Sequence, residues 1–398
     1  MPLEQALSGI KVLDVTHHTS GPYCTKLLAC LGAEVIKIEK PEGGDPARRI
    51  GPFFKDEPHP EKSGLFLYLN TGKKSVTLNL KSETGVNIFK ELLKDADIVV
   101  ENFEPRVMPA LGLSYNVLEK INPGVIMTSI SNFGQTGPYR DYEASSFTVY
   151  AMSGGMYQTG EKQPIKLGGS QPEYMGGLAG FISITGALYW RASAQAGQHV
   201  DVSVLECLIG NLEGATSEYA YMGVVRQRKF SRIIYGYPVG IFPCKDGHVV
   251  VIPGLGGMSS LALLLEKPEL EKHPVFADRH YRMMHPDELD AFMVPWLMEH
   301  EKREIEERAQ ELRMPFSAVL TTEELIEDPH LKAREFFSEI DHPVVGKLNY
   351  PGAPFRMSET PWQAERAPLL GEHNEEIYQD RLGYSREDVV KLRESGII

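Results

Sequence analysis

The segment 11–39, KVLDVTHHTSGPYCTKLLACLGAEVIKIE, determines the fold that the sequence predicts. Lys11–Thr16 is a short run of apolar and β-branched residues, which is typical of a buried strand. Tyr23–Leu31 places apolar side chains at helical spacing and stops at Gly32, a common helix terminator. Glu34–Glu39 is again strand-like. A strand, a helix and a second strand in this order predict a right-handed βαβ unit with parallel strands.

The same alternation continues along the chain. We expect further strands at Ser75–Leu80, Ile98–Val100 and Gly124–Ser131, and a helix at Glu83–Lys94. Repeated βα units predict an α/β fold with an open, doubly wound parallel sheet, whose ligands lie beyond the carboxyl ends of its strands. The loops HHTSGPY and ENFEPR follow two of these strands, so we expect both loops to line a site.

Length and charge narrow the class of protein. A chain of 398 residues is too long to fold around one hydrophobic core of ordinary size, so two domains are expected. The 54 acidic and 41 basic side chains give a formal net charge of -13, whereas nucleic-acid binders usually carry a basic surplus. We therefore expect no nucleic-acid partner. A local basic pocket for an anionic ligand stays open, because net charge says nothing about its distribution.

Several absent patterns point to a cytoplasmic protein without a metal. The four cysteines form no CxxC pair, and the start MPLEQALSGIKVLDVT has no apolar signal region. The longest nearly apolar stretch, Gly176–Trp190, is shorter than the roughly twenty residues that span a bilayer, so it predicts a buried helix and no membrane partner. Phosphate-loop, GxGxxG and HExxH motifs are also absent, so no metal site is expected.

Two loops carry candidate functional residues. His17 and His18 begin the HHTSGPY loop, which could hold a phosphate through backbone N–H groups, although packing histidines are the simpler interpretation. Glu173 lies in GGSQPEYMGGLAG, where Ser170 and Glu173 have the spacing of a capping box. The alternative is catalytic, because the helix dipole favours an ionised carboxylate in the first turn and such a group can attack an acyl carbonyl.

Four segments together resemble the class III CoA-transferases, the family of formyl-CoA transferase and carnitine CoA-transferase. They are LSGIKVLDVTHHTSGPYCTKLLACLGAEVIKIEKPEGGD, LNTGKKSVTLNLKSETGVNIFKELLKDADIVVENF, LGLSYNVLEKINPGVIMTSISNFGQTGP and the carboxyl-terminal APLLGEHNEEIYQDRLG. These segments follow one another in the expected order and cover most of residues 8–210 and 310–398. Residues 225–310 match more loosely.

The resemblance implies an architecture and a reaction. The large doubly wound domain would combine residues 1–215 with a return segment, 336–398, around a smaller α+β domain at residues 216–335. Two such subunits would interlock as a homodimer, or as a heteromer with a related subunit. In this family an active-site carboxylate attacks an acyl-CoA, an anhydride and an enzyme–CoA thioester form in turn, and a carboxylic acid finally receives the CoA.

The resemblance also assigns roles to single residues. It implies that Glu173 is the nucleophile, at the position where the family carries an aspartate. The residues that it assigns to contacts with coenzyme A are His18, Thr19, Ser20, Lys40, Leu78, Asn79, Lys81, Asn102, Phe103 and Arg106. The two lysines would offset the charge of the CoA phosphates despite the acidic total.

Three departures from the family pattern matter. The extra methylene of Glu173 moves its carboxylate by roughly 1 Å, and a misplacement of that size can cost ~100-fold in rate. Many relatives carry basic residues where this chain has Glu104 and Ala110, with Arg106 between them. A lysine found in some relatives is replaced by small or apolar residues in EASSFTVYAMSGG.

Three functions therefore stay open. The first is a CoA-transferase that uses Glu173. The second is a non-catalytic, acyl-CoA-binding subunit that has lost the nucleophile. The third is a 2-methylacyl-CoA racemase of the same fold, which needs two acid/base groups; the histidine expected for it in RDYEASSFTVY is absent. The acid substrate itself is not indicated.

Overall fold

The chain forms two compact units. The computed structural model describes residues 5–160, 163–212, 214–228, 232–233, 237–254 and 257–398. Unit 1 comprises Met1–Gly155, Lys166–Thr216 and Ala333–Ile398, and unit 2 comprises Met156–Ile165 and Ser217–Lys332. Residues 156–165 differ from the expected division, which had placed them in the large domain. They belong to unit 2 because Tyr157 bonds Gln227 and Arg228; the three-part division otherwise stays a prediction.

Unit 1 is built on a parallel sheet of six strands within the described residues. They are β1 Lys11–Asp14, β2 Glu34–Glu39, β3 Lys74–Thr77, β4 Ile98–Glu101, β5 Ile126–Ser131 and β6 Gln198–Ser203. Their order is β3-β2-β1-β4-β5-β6, and Leu13 of β1 pairs with both Ile36 and Val99. The doubly wound α/β prediction is therefore confirmed. The strand order reverses between β1 and β4, so a crevice opens there beyond the carboxyl ends.

Helices of unit 1 pack against this sheet, and unit 2 is mostly helical. They are α1 Ser20–Cys30, α2 Gly64–Leu69, α3 Glu83–Leu93, α4 Val107–Ala110, α5 Tyr115–Ile121, α6 Ser146–Met152, α7 Gly155–Gln158, α8 Gln171–Ala194, α9 Val204–Gly210, α10 Ala215–Met222, α11 Gly257–Leu264, α12 Pro274–Ala277, α13 Arg279–Met284, α14 Pro286–Glu299, α15 Lys302–Glu311, α16 Thr322–Glu327, α17 Pro329–Ala333 and α18 Arg386–Glu394. Among the described helices, none is long and apolar enough to cross a bilayer.

Unit 2 has an antiparallel sheet in the order β10-β9-β8-β7. Its strands are β7 Arg232–Ile233, β8 Val239–Cys244, β9 Gly247–Val251 and β10 Ser317–Ala318. The turn at Lys245–Asp246–Gly247 joins β8 and β9 in a hairpin. Phe242, Val251 and Leu261 belong to its separate apolar core. Unit 1 also contains an antiparallel hairpin, β11 Phe337–His342 and β12 Gly346–Pro351.

The carboxyl-terminal segment covers β3, which lies at the edge of the parallel sheet. The Tyr378 hydroxyl donates to the carbonyl of Thr77 at 2.7 Å, and the backbone N–H of Thr77 donates to Asn374 Oδ1 at 2.9 Å. The N–H of Asn79 donates to the carbonyl of Ile397 at 2.8 Å. These bonds satisfy backbone groups that an open sheet edge would leave unpaired.

Helix α8 lies against α1 through glycines. A Cβ atom on Gly177 would lie 2.5 Å from the backbone oxygen of Ser20, and one on Gly180 would lie 3.2 Å from Cys24 Sγ. The prediction that Gly176–Trp190 is a buried helix is wrong for its other face, where Ile182 and Tyr189 are 59% and 87% exposed. Apolar composition predicted burial, but none of the described elements of unit 1 covers this face.

Substituting Gly177 tests this close contact. In Gly177→Ala the new methyl meets a backbone oxygen, which cannot rotate away, so we expect a loss of about 1–3 kcal/mol in the free energy of unfolding. Gly210→Ala in α9 is the matched control, since nothing lies within 4 Å of its Cβ position. Urea unfolding of both variants measures the difference. Equal stability of the two variants would contradict the contact.

Candidate functional site

The site lies where the loops after β1 and β4 meet. Asn102 joins them: its Oδ1 accepts from the backbone N–H of His17 at 2.8 Å, and its Nδ2 donates to the carbonyl of His17 at 2.8 Å and to Ser20 Oγ at 3.1 Å. The rings of His17 and Phe103 pack edge to face at 5.1 Å. The two loops are thus fixed relative to each other, as the rule on strand ends predicts.

A cavity of about 620 Å³, which we call cavity A, opens on one side of these loops. Its lining residues are Val15, His17, Ile38, Glu39, Lys40, Pro41, Glu42, Leu78, Asn79, Leu80, Lys81, Phe103, Val107, Leu111 and Gly396. The structure therefore brings together Lys40, Leu78, Asn79, Lys81 and Phe103 from the predicted site. The lining combines apolar side chains with two lysines and two glutamates, of which Glu39 is paired with Arg48. It therefore suits a ligand that has both apolar and charged parts.

A second cavity of about 240 Å³, cavity B, shares Phe103 with cavity A. Its lining residues are His18, Thr19, Ser20, Asn102, Phe103, Glu104, Pro105, Ile130, Ser131, Asn132, Phe133, Arg140, Tyr142, Ala144, Ser145, Ser146, Glu173 and Val204. The predicted residues of the HHTSGPY loop thus lie in the same cavity as Glu173, although the two are far apart in sequence. The contact between α1 and α8 brings them together.

Glu173 stands in the first turn of α8 without the capping bond that its sequence predicts. Ser170 is the N-cap residue, but its side chain makes no capping hydrogen bond and its ψ angle is 48°. An N-cap usually needs an extended backbone, so the capping-box prediction is wrong. Glu173 Oε2 is buried and has no hydrogen-bond partner among the described residues. The carboxylate is therefore available to a ligand in cavity B.

Arg106 is not among the lining residues of either cavity, although its partner Glu104 lines cavity B. Its Nε donates to Glu104 Oε2 at 2.8 Å, and its side chain is 65% exposed. The structure thus directs the guanidinium of Arg106 to a salt bridge at the surface. Its contact with CoA stays a prediction without structural support.

A buried network of ion pairs supports the loop after β1. The sequence did not predict this network. Lys37 Nζ lies 2.8 Å from Asp45 Oδ2 and donates to the carbonyl of Thr16 at 2.9 Å. Lys73 Nζ lies 3.0 Å from Asp14 Oδ2. Burial alone would raise the pKa of Asp14, but the two lysines hold it well below its usual range. The signal was present as charged residues inside otherwise apolar strands.

A further buried acid, Glu101, supports the loop after β4. One of its oxygens accepts the backbone N–H of Phe103 at 2.8 Å. Burial raises the pKa of Glu101 to about 7, and hydrogen bonds from Ser129 and Phe103 oppose that rise. Ser129 Oγ in turn lies 2.9 Å from His199 Nε2. Within the described residues, no cluster of His, Cys, Asp and Glu has the arrangement of a metal site.

Comparison with known proteins agrees with this geometry. The model of CoA-transferase family III matches residues 7–374. The chain is 34% identical to a formyl-CoA:oxalate CoA-transferase of Streptomyces coelicolor, over 99% of both chains. It is 33% identical to the alpha subunit of a succinyl-CoA–L-malate CoA-transferase of Chloroflexus aurantiacus, over 98% of this chain and 92% of the relative.

A solved structure supports the same assignment. The crystal structure of a CAIB/BAIF family protein from Brucella suis superposes with a TM-score of 0.86 and 30% identity, over 95% of this chain and 99% of that one. The family match and the identities over whole chains make the assignment secure. The chain belongs to CoA-transferase family III.

The raised pKa of Glu101 predicts a pH dependence of stability. Between its ordinary value of 4.5 and about 7, the folded state keeps a proton that the unfolded state has lost. The contribution of Glu101 to the free energy of unfolding is therefore fully present below pH 4.5 and is lost as the pH rises to about 7. The loss is roughly 3 kcal/mol at most.

Glu101→Gln mimics the protonated carboxyl and should not show this loss. We expect the free energy of unfolding of Glu101→Gln to exceed that of the native chain increasingly from pH 5 to pH 8, by urea unfolding at each pH. Glu394→Gln on the exposed end of α18 is the control. A difference that stays constant with pH would show that Glu101 does not titrate in this range.

Proposed function

We propose that this protein transfers CoA from an acyl-CoA donor to a carboxylic acid, with Glu173 as the nucleophile. The observation that carries the proposal is the buried, unpartnered oxygen of Glu173 in cavity B. A buried polar atom without a partner costs about 1–3 kcal/mol, so its retention favours a functional role. Its place in the first turn of α8 also puts this carboxylate beside the positive end of the helix dipole.

The reaction proceeds by exchange of acyl groups without water. A Glu173 oxygen attacks the thioester carbonyl, the carbon–sulfur bond breaks, and CoA leaves as a thiolate while an acyl–glutamyl anhydride forms. The thiolate attacks the glutamyl carbonyl, releasing the donor acid as a carboxylate and leaving a glutamyl–CoA thioester. The acceptor carboxylate then repeats the two steps in reverse, so that acceptor-CoA leaves and the Glu173 carboxylate returns.

The two cavities divide the binding of an acyl-CoA between them. Lys40 and Lys81 would contact phosphate groups in cavity A, where Glu39 is already paired with Arg48, and Leu78 and Phe103 would contact the rest of CoA. Phe103 also lines cavity B, so a ligand that passes this ring would reach Glu173 with its thioester. His18, Thr19, Ser20 and Asn102 would contact the reacting end.

The longer side chain of Glu173 has structural support nearby. Gly177 lies one turn further along α8 and permits the close approach to Ser20. We infer that the helix position, fixed by this contact, sets the distance between the carboxylate and the acyl group. Shortening the side chain at position 173 would therefore move the carboxylate away from the acyl group, whatever the family's usual residue is.

A second candidate function is a subunit that binds acyl-CoA without catalysis. Glu104 favours it, because this acidic residue lines cavity B where many relatives carry a basic one. A relative that is itself named as an alpha subunit is compatible with a heteromer.

The exposed apolar face of α8 supports assembly into a homodimer or a heteromer. We propose a homodimer, because it needs no second kind of subunit.

Trapping the covalent intermediate tests the nucleophile. The native chain, incubated with an acyl-CoA and then treated with hydroxylamine or borohydride, should carry a modification confined to Glu173, detected by peptide mass spectrometry. Glu173→Gln should bind CoA and give no modification. Glu173→Asp should react ~100-fold more slowly, since its carboxylate is withdrawn by roughly 1 Å. The matched control is Glu394→Gln. Absence of the modification with CoA binding intact would support the non-catalytic subunit.

Charge on the exposed face of α8 tests the assembly. We expect the native chain to have twice the mass of one chain in light scattering. Tyr189→Glu or Ile182→Asp should lower that mass, because a buried unpaired charge opposes association. Glu394→Gln should leave it unchanged. A native chain that is monomeric at micromolar concentration would overturn the homodimer.

A further inference from the structure

Glu101, Ser129 and His199 form a polar row behind the loop after β4. Glu101 and Ser129 are direct neighbours in the register of β4 and β5, and they are only 2% and 1% exposed. Ser129 Oγ lies 2.9 Å from Nε2 of His199 on β6, whose ring stacks on Tyr115 at 5.5 Å. All three line a cavity of about 210 Å³, which we call cavity C. None of the three lines cavity A or cavity B.

The row ends on the residue that cavities A and B share. Glu101 Oε2 accepts the backbone N–H of Phe103 at 2.8 Å, and Phe103 lines both cavities. The side chain of Asn102, which lies between them in the chain, is bonded to the loop after β1. The bond from Phe103 to Glu101 therefore ties the backbone at the shared wall to the sheet.

This position of an acid is unfavourable for folding near neutral pH. Burial, and the charge of Asp201 on β6, raise the pKa of Glu101 to about 7. The other titratable groups beside the row are His199 and Tyr115, and partial burial lowers the pKa of His199, so Asp201 is the charged one near pH 7. Groups that lower stability in this way are typical of functional positions.

The charge of Glu101 determines how firmly Phe103 is held. A hydrogen bond to an ionised acceptor is roughly twice as strong as one to a neutral acceptor. The Ser129 hydroxyl favours the ionised form by donating to Glu101. His199 orients that hydroxyl: with its proton on Nε2, the ring donates to Ser129 Oγ and leaves the hydroxyl proton for Glu101.

We propose that Glu101 is a positioning residue for CoA transfer, whose ionised carboxylate holds Phe103 at the wall between cavities A and B. It touches no reacting atom. When Glu101 is protonated, the bond weakens and fewer chains hold the loop in the arrangement that binds the ligand, so the apparent affinity falls. The inference rests on the proposed function, since it takes the two cavities as the binding site of an acyl-CoA.

The pH dependence of CoA binding tests this role. Glu101→Gln keeps the shape of the side chain and an acceptor oxygen, but it stays neutral. By calorimetry with CoA, we expect the native chain and Glu101→Gln to agree within about twofold at pH 5, and the native chain to bind about fivefold more tightly at pH 8. Comparison at equal pH cancels the titration of CoA itself. The matched control, Glu394→Gln, should follow the native chain.

Stability distinguishes positioning from general damage. Glu101→Gln should be more stable than the native chain above pH 5 and yet bind CoA less tightly, whereas a damaged fold would lose both. An affinity ratio between the native chain and Glu101→Gln that is the same from pH 5 to pH 8 would overturn the proposal.

Ser129→Ala tests the tuning of Glu101. Without the hydroxyl, the pH at which CoA affinity rises should move upward by roughly one unit, because the ionised form loses a hydrogen bond. Ser395→Ala, at an exposed serine after α18, should leave that pH unchanged. An unchanged profile in Ser129→Ala would overturn the part assigned to Ser129.

Trapping with hydroxylamine in the native chain separates failure of this inference from failure of the proposed function. A modification at Glu173 together with a pH-independent affinity ratio would overturn the positioning role and leave the transferase function intact. A ratio that rises with pH without any modification would support the positioning of a CoA-binding loop and overturn catalysis by Glu173.

Discussion

The contact between α1 and α8 is the constraint on which the candidate site depends. Gly177 brings the backbone of α8 against the carbonyl of Ser20, at a separation that no side chain could occupy. Ser20 follows the first strand and Glu173 begins α8, so this single contact places residues from distant parts of the sequence in one cavity. The carboxylate is held by a helix of 24 residues, so its position is set by the rigid frame of unit 1 and not by a loop.

The buried charges provide the complementary support from the side of the sheet. Lys37 and Lys73 neutralise Asp45 and Asp14 in the interior, where an unpaired charge would cost several kcal/mol. Because Lys37 also bonds the carbonyl of Thr16, the network fixes the backbone that leads into the site. A buried ion pair adds little net stability compared with apolar residues of similar volume. Removing one partner is strongly destabilising, because the other charge is then buried without compensation. The site is thus held by helix packing on one side and by ion pairing on the other.

The sequence predicted the sheet and the loops of the site, and failed where partners lie far apart in the chain. The run 11–39 was sufficient for the parallel βαβ unit, and the rule on strand ends was sufficient to place the loops. The spacing of Ser170 and Glu173 suggested a cap, but spacing does not reveal the backbone angle on which a cap depends. The pairing of Lys37 with Asp45 could not be predicted, since neither residue indicates its partner. Apolar composition likewise could not say which face of α8 is covered.

The cover over the edge of β3 has a consequence for how the protein is made. The residues that close this edge, Asn374, Tyr378 and Ile397, come from the last part of the chain, and Gly396 lines cavity A. Domains emerge from the ribosome amino-terminal end first. All of unit 2 is therefore synthesised before these residues, and until they are present the edge strand β3 of unit 1 lacks its partners. A chain that ends before residue 374 lacks these partners, so the edge of β3 keeps unpaired backbone groups that can bond other strands.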